Sequence, residues 1–62
     1  MAIATLLPNI GDSLSVNILI AQLITYFRGN KYPRAKALGA IGGGVHGGSI
    51  YLNANGEYER IK

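Results

Sequence analysis

The chain has 62 residues, no cysteine, one histidine and a formal net charge of +3 at neutral pH. This composition excludes disulfides, and one histidine without cysteine does not furnish the ligand set of a zinc site. A domain of this length buries only about 60% of the surface that its unfolded chain exposes, so we expect a single domain, 1–62, whose core is completed by partner subunits or a bilayer.

The first segment, 1–11, is apolar but is interrupted by Pro8. Proline disfavours helix at the preceding residue, so we expect an extended or single-turn arm. The arm would pack on the helix of its own chain or on another apolar surface through Ile3, Leu6, Leu7 and Ile10. No basic residue precedes Arg28, and a secretory signal carries basic residues ahead of its apolar run, so none is predicted.

The densest apolar run, 14–27, predicts the helix around which the chain is organised. Asp12 or Ser13 is a suitable N-cap, and Arg28 followed by Gly29 suits the other end, so the predicted helix covers 12–28. Apolar residues recur at helical spacing and define a predicted assembly core of Val16, Ile20, Leu23, Ile24 and Phe27.

A strand remains an alternative for 13–20, because 13–18 alternate polar and apolar residues without a break. A membrane span is not expected from 14–27 alone. At 1.5 Å per residue this run is about 21 Å long, short of the hydrocarbon core of about 30 Å.

Four cations fall within the segment 28–36, RGNKYPRAK, which contains no carboxylate. Gly29, Asn30 and Pro33 predict a basic loop there. The loop is either a solvated connection or a contact for the phosphates of anionic lipid or nucleic acid, without base reading. The residues of this predicted anionic-partner contact are Arg28, Lys31, Tyr32, Arg34 and Lys36.

Six of the sixteen residues in 37–52 are glycine. Gly39, Gly43 and Gly47 are spaced by four, which on a helix gives a groove for close packing against another backbone. Glycine is a poor helix former, so 37–48 is either an irregular segment or a helix supported by packing. The G-x-G-x-x-G pattern at 42–47 lacks the strand and helix of a dinucleotide site, and no such site is predicted.

The C-terminal segment, 49–62, carries a β-hairpin signal. Asn55 and Gly56 suit the positive φ angles of a tight turn between two apolar-rich strands. With a two-residue turn Leu52 would oppose Glu59, and with a three-residue turn it would oppose Tyr58, which pairs the apolar residues better.

These segments predict a small α+β fold with one apolar N-terminal helix, a basic loop, a glycine-rich segment and a C-terminal hairpin. A two-helix hairpin with a glycine-zipper second helix is the alternative. No catalytic residue, metal site or cofactor is predicted, because nothing orients His46 and the carboxylates Glu57 and Glu59 are expected to be exposed on one strand beside a turn.

The sequence therefore favours a non-enzymatic structural subunit of a homo-oligomer, virion, filament or membrane complex. Two further hypotheses are a membrane-active cationic peptide of the bacteriocin or toxin type and a small basic nucleic-acid-binding protein. The expected partners are accordingly copies of the chain or a larger protein assembly, then anionic lipid, and last nucleic acid. The compartment is not determined by the sequence.

Overall fold

Three helices and three short strands lie within 2–62, the part of the chain that the computed structural model describes. Met1, the first residue of the predicted arm, lies outside it. The elements are α1 (Ala2–Leu6), β1 (Ser13–Ser15), α2 (Val16–Tyr26), α3 (Pro33–His46), β2 (Ile50–Leu52) and β3 (Glu57–Arg60). Three helices and a three-stranded antiparallel sheet confirm the predicted α+β class.

The sheet has the order β1-β3-β2, with β3 at its centre. Tyr58 lies opposite Leu14 on one side and Leu52 on the other. The hairpin thus has the register that pairs Leu52 with Tyr58. An isolated two-stranded hairpin is marginally stable, and the third strand comes from 13–15, directly before α2.

Asn53 organises the hairpin turn together with the predicted turn residues. Its side-chain Oδ1 accepts hydrogen bonds from the backbone N–H groups of Asn55 at 2.9 Å and Glu57 at 3.0 Å. Gly56 has φ +75°, which side-chain-bearing residues rarely adopt. Asn53 was not among the predicted turn residues, although asparagine commonly bonds the backbone two residues ahead in turns.

The predicted helix 12–28 is wrong at both ends. Residues 13–15 pair with β3, and Ser15, rather than Asp12 or Ser13, caps α2 by accepting a hydrogen bond from the Ile18 N–H at 3.4 Å. The helix ends at Tyr26. The Phe27 N–H still donates to the Leu23 carbonyl oxygen as the C-cap, and the chain then turns. The strand alternative for 13–20 thus holds for three residues only.

The predicted basic loop 28–36 is too long, because α3 begins at Pro33. Proline is well tolerated at the first position of a helix, where its missing N–H would have no partner. The connection between α2 and α3 therefore covers 27–32. The irregular alternative for 37–48 is wrong as far as His46, since the glycine-rich run is helical to that point.

Side chains from four elements or their flanks form the core. Its buried residues are Ile3, Leu7, Leu19, Leu23, Ala37, Ile41 and Ile50. The N-terminal arm thus packs within its own chain, as the short helix α1 against α2 and α3. Ile10, however, is 70% exposed, so its expected placement on an apolar surface is wrong within this chain.

Arg60 joins the C-terminal strand to the end of the N-terminal arm. Its Nη1 donates to the carbonyl oxygens of Leu7 at 2.9 Å and Pro8 at 2.8 Å. We expect Arg60→Met to lower the free energy of unfolding by about 1.5 to 3 kcal/mol, chiefly because the charge-assisted hydrogen bonds to Leu7 and Pro8 are lost. Urea denaturation followed by circular dichroism measures the change, with Lys62→Met as the control. Equal stability of the two variants would contradict the assigned role.

Candidate assembly surface

Helix α3 has no lysine, arginine, aspartate or glutamate after Lys36, so the side that points away from the core is largely uncharged. Ala37, Ile41 and Gly44 lie on the buried side of the helix. At 100° per residue the opposite side, here called the α3 outer face, consists of Ala35, Gly39, Gly42, Gly43 and His46, with Leu38 and Val45 along one edge. All seven are exposed, Leu38 by 46% and Val45 by 47%.

The glycines of α3 fall into two groups by what surrounds them. A Cβ added to Gly44 would lie 3.1 Å from Ile50 Cδ1 and Cγ1 and 3.7 Å from Ile3 Cγ1, so this glycine makes room for the core. A Cβ added to Gly39, Gly42 or Gly43 would meet nothing within 4 Å. The fold of the single chain therefore gives no steric reason for glycine at those three positions.

The predicted close-packing set thus meets no other element of its own chain. Gly39 and Gly43 face open space, and a Cβ on Gly47 would approach only the Gly43 carbonyl oxygen, at 3.1 Å. Gly44 was outside that set, yet it is the α3 glycine in contact with another element. Its helical spacing from Ala37 and Ile41 is the signal that could have found it.

The predicted assembly core on α2 is partly turned toward solvent. Leu23 is fully buried, whereas Val16, Ile20, Ile24 and Phe27 are half-buried. Leu19, which lies off the predicted stripe, is fully buried as well. The buried side of α2 is therefore rotated from the predicted stripe toward Leu19, and Ile18 and Tyr26 remain 50% and 47% exposed.

The predicted anionic-partner residues all lie at the turn between α2 and α3 or in the first turn of α3. All five are exposed, and Tyr32 is 65% exposed with the Lys31 Nζ 5.6 Å from its ring centroid. An open groove next to this turn is lined by Phe27, Tyr32, Ala35, Lys36, Gly39 and Ala40. The groove connects the basic turn with the α3 outer face, because Ala35 and Gly39 belong to both.

The described residues show few features of a metal site or a membrane span. Within 2–62 no three or more histidine, cysteine or acidic side chains come together as a metal site. None of the described helices has the length and apolarity to cross a membrane. His46 is an exposed residue at the end of α3.

Comparison with known proteins gives no relative. No protein-family model, curated protein or solved structure matches this chain. The function proposed for the chain therefore depends on its own surfaces, of which the α3 outer face is the most unusual.

Proposed function

We propose that this chain is a non-enzymatic structural subunit that packs through the α3 outer face into a larger assembly, such as a homo-oligomer, filament, virion or membrane complex. The observation that carries the proposal is the group of three exposed helical glycines at which an added Cβ would meet nothing within 4 Å. In this proposal the glycine-zipper interpretation of the second helix applies between subunits.

The cost of these glycines to the isolated chain is large. Each interior helical glycine costs about 1 kcal/mol relative to alanine, so Gly39, Gly42 and Gly43 together cost about 3 kcal/mol. A 62-residue domain has a total stability of about 3 to 9 kcal/mol. Small residues allow a second helix to approach closely, and the van der Waals attraction between the two helices would offset the cost.

Apolar side chains beside the glycines favour the same conclusion. Leu38 and Val45 border the glycine stripe and are about half exposed. Full burial of such a side chain contributes about 1.5 to 3 kcal/mol relative to full exposure, so covering these two yields a fraction of that. A partner that fits against the glycines also covers Leu38 and Val45.

Gly43→Leu tests the proposal, because the side chain enters open space in the monomer but blocks a closely packed partner. We expect the wild-type chain to sediment as an oligomer at micromolar concentration and Gly43→Leu as a monomer with undiminished helical content. Gln22→Leu is the matched control, since Gln22 is an exposed residue of α2 and lies outside both the α3 outer face and the 27–32 connection.

Two outcomes would remove the proposal. One is a wild-type chain that sediments as a compact monomer both in plain buffer and in buffer that contains detergent. The other is a Gly43→Leu variant that associates as strongly as Gln22→Leu, which would show that the α3 outer face is not the contact.

The two other hypotheses from the sequence remain predictions. The exposed cations around Tyr32 are the feature that favours them. Dye release from anionic vesicles measures membrane activity, and salt-dependent retention on RNA measures nucleic-acid binding. Neither experiment depends on the α3 outer face, so each can be separated from the assembly test by Gly43→Leu.

A further inference from the structure

The path of the chain places the sheet and the basic turn at opposite ends of the helical pair. Helix α2 starts directly after β1 and ends at the 27–32 connection, and α3 returns from that connection toward β2. Helices of 11 and 14 residues are about 16 and 21 Å long. The molecule measures 32 Å along its longest axis, which accommodates this separation.

The sheet has an acidic side. Ile50 is buried against Gly44 and Ile3, so the face that it shares with Arg60, Tyr58, Leu52 and Leu14 is turned toward the helices. Side chains alternate along a strand, so the other face holds the remaining residues. This face, here called the outer sheet face, consists of Ser13, Ser15, Tyr51, Glu57 and Glu59.

Both carboxylates of the outer sheet face accept hydrogen bonds from uncharged side chains. Glu57 Oε1 accepts from the Ser13 hydroxyl at 3.0 Å, and Glu59 Oε1 accepts from the Asn53 side-chain amide at 3.2 Å. The cation Arg60 lies on the other face of the sheet and donates to main-chain carbonyls. The two half-buried carboxylates are therefore held in place, while their negative charge is not balanced by these partners.

From this arrangement we propose that the basic turn of one copy, with Arg28, Lys31, Arg34 and Lys36, binds the outer sheet face of a second copy, head to tail. The inference rests on the proposed role as an assembly subunit and adds the partner and its orientation. Complementary charges on opposite ends of one molecule favour a second copy, because each end finds its counterpart on every neighbour. Tyr51, 44% exposed and opposite Glu59, adds a ring face for an arginine.

The charges set the orientation more than the strength of the contact. An exposed ion pair contributes about 0 to 1 kcal/mol and is screened by salt. A head-to-tail contact does not pair identical surfaces, so it produces a ring or an open filament. Association of the wild-type chain should therefore weaken on the order of tenfold when salt suppresses the electrostatic attraction.

A charge-swap experiment with the full chain tests the inference. The sheet variant is Glu57→Lys with Glu59→Lys, and the turn variant is Arg28→Glu with Lys31→Glu. At low ionic strength we expect each variant alone to associate on the order of tenfold more weakly than the wild type, and an equimolar mixture to regain association, because each surface again meets its opposite. Sedimentation velocity measures all three samples.

A second sheet variant guards against loss of fold. Glu57→Gln with Glu59→Gln retains the side-chain oxygens that accept from Ser13 and Asn53 while removing both charges. It should keep the wild-type circular dichroism spectrum and still weaken association at low ionic strength. Unchanged association of this folded variant would overturn the inference.

The outcomes separate this inference from the proposed function. A wild-type chain that associates equally at low and high salt, with a charge-swap mixture no better than its components, overturns the head-to-tail contact and leaves the α3 contact standing. A wild-type chain that is monomeric at every salt concentration overturns both. If the sheet variant associates like the wild type, and the turn variant loses only its binding to anionic vesicles or RNA, the basic turn binds those partners and the inference fails.

Discussion

Leu19→Ala is expected to lower the free energy of unfolding by about 2 to 5 kcal/mol, because the residue is completely buried and its truncation leaves a cavity. The total stability expected for 62 residues is about 3 to 9 kcal/mol. The variant should therefore be partly or wholly unfolded at ambient temperature, and urea denaturation followed by circular dichroism would show an early or absent transition.

The neighbouring residue provides the control for this result. Ile18 is on the same helix, has the same number of side-chain carbons as leucine and is 50% exposed, so Ile18→Ala should change stability far less. Both variants are compared below the concentration at which the wild type associates. Similar losses for the two would mean that α2 does not present Leu19 to the core, contrary to the structure.

Leu19 also shows why the sequence located α2 but not its buried side. The run 14–27 has apolar residues nearly all round the helix, so periodicity identifies several acceptable stripes. The choice among them is made by the packing of α1 and α3 against α2, which the periodicity of 14–27 does not contain. Leu23 belongs to both the predicted and the observed side, whereas Leu19 becomes buried through packing against those other helices.

Strand β1 could not be predicted from the local sequence for a related reason. The alternation in 13–18 was visible, but a strand of three residues is stable only beside its partner, which is β3 more than forty positions later in the chain. Local caps and periodicity therefore extended the predicted helix over residues that pair in the sheet. The hairpin, by contrast, depends on neighbours in sequence, and Asn55 and Gly56 mark its turn directly.

For the candidate surface, too, the features that depend on local sequence could be predicted, whereas those that depend on packing could not. Exposure of the cations at 28–36 could be expected from their charge, and the glycine spacing in 37–48 drew attention to close packing. Local propensity could not show that Pro33 begins a helix rather than ends one, or that the packing of Ala37 and Ile41 supports a helix through the glycines. It also could not separate Gly44, which contacts Ile50, from Gly43, which faces open space.

This difference between adjacent glycines gives a second large expected effect. Gly44→Leu places a side chain where the first added carbon already lies 3.1 Å from two carbons of Ile50, which is 1% exposed. Overpacking of this kind costs about 1 to 3 kcal/mol or more, and the improvement in helix propensity, about 1 kcal/mol, offsets only part of it. We therefore expect Gly44→Leu to be clearly destabilised relative to the wild type.

Gly43→Leu is the matched comparison and should change stability in the opposite direction. The same leucine improves helix propensity by about 1 kcal/mol, and its Cβ meets no atom of another element within 4 Å. Urea midpoints must be measured over a dilution series, because association stabilises the folded wild type and would mask the intrinsic increase in stability. Extrapolated to the monomer, the order should be Gly43→Leu above wild type above Gly44→Leu. If Gly43→Leu instead lowers the stability of the monomer as much as Gly44→Leu does, the α3 outer face is in contact with its own chain, and the open glycine surface on which the assembly proposal depends does not exist.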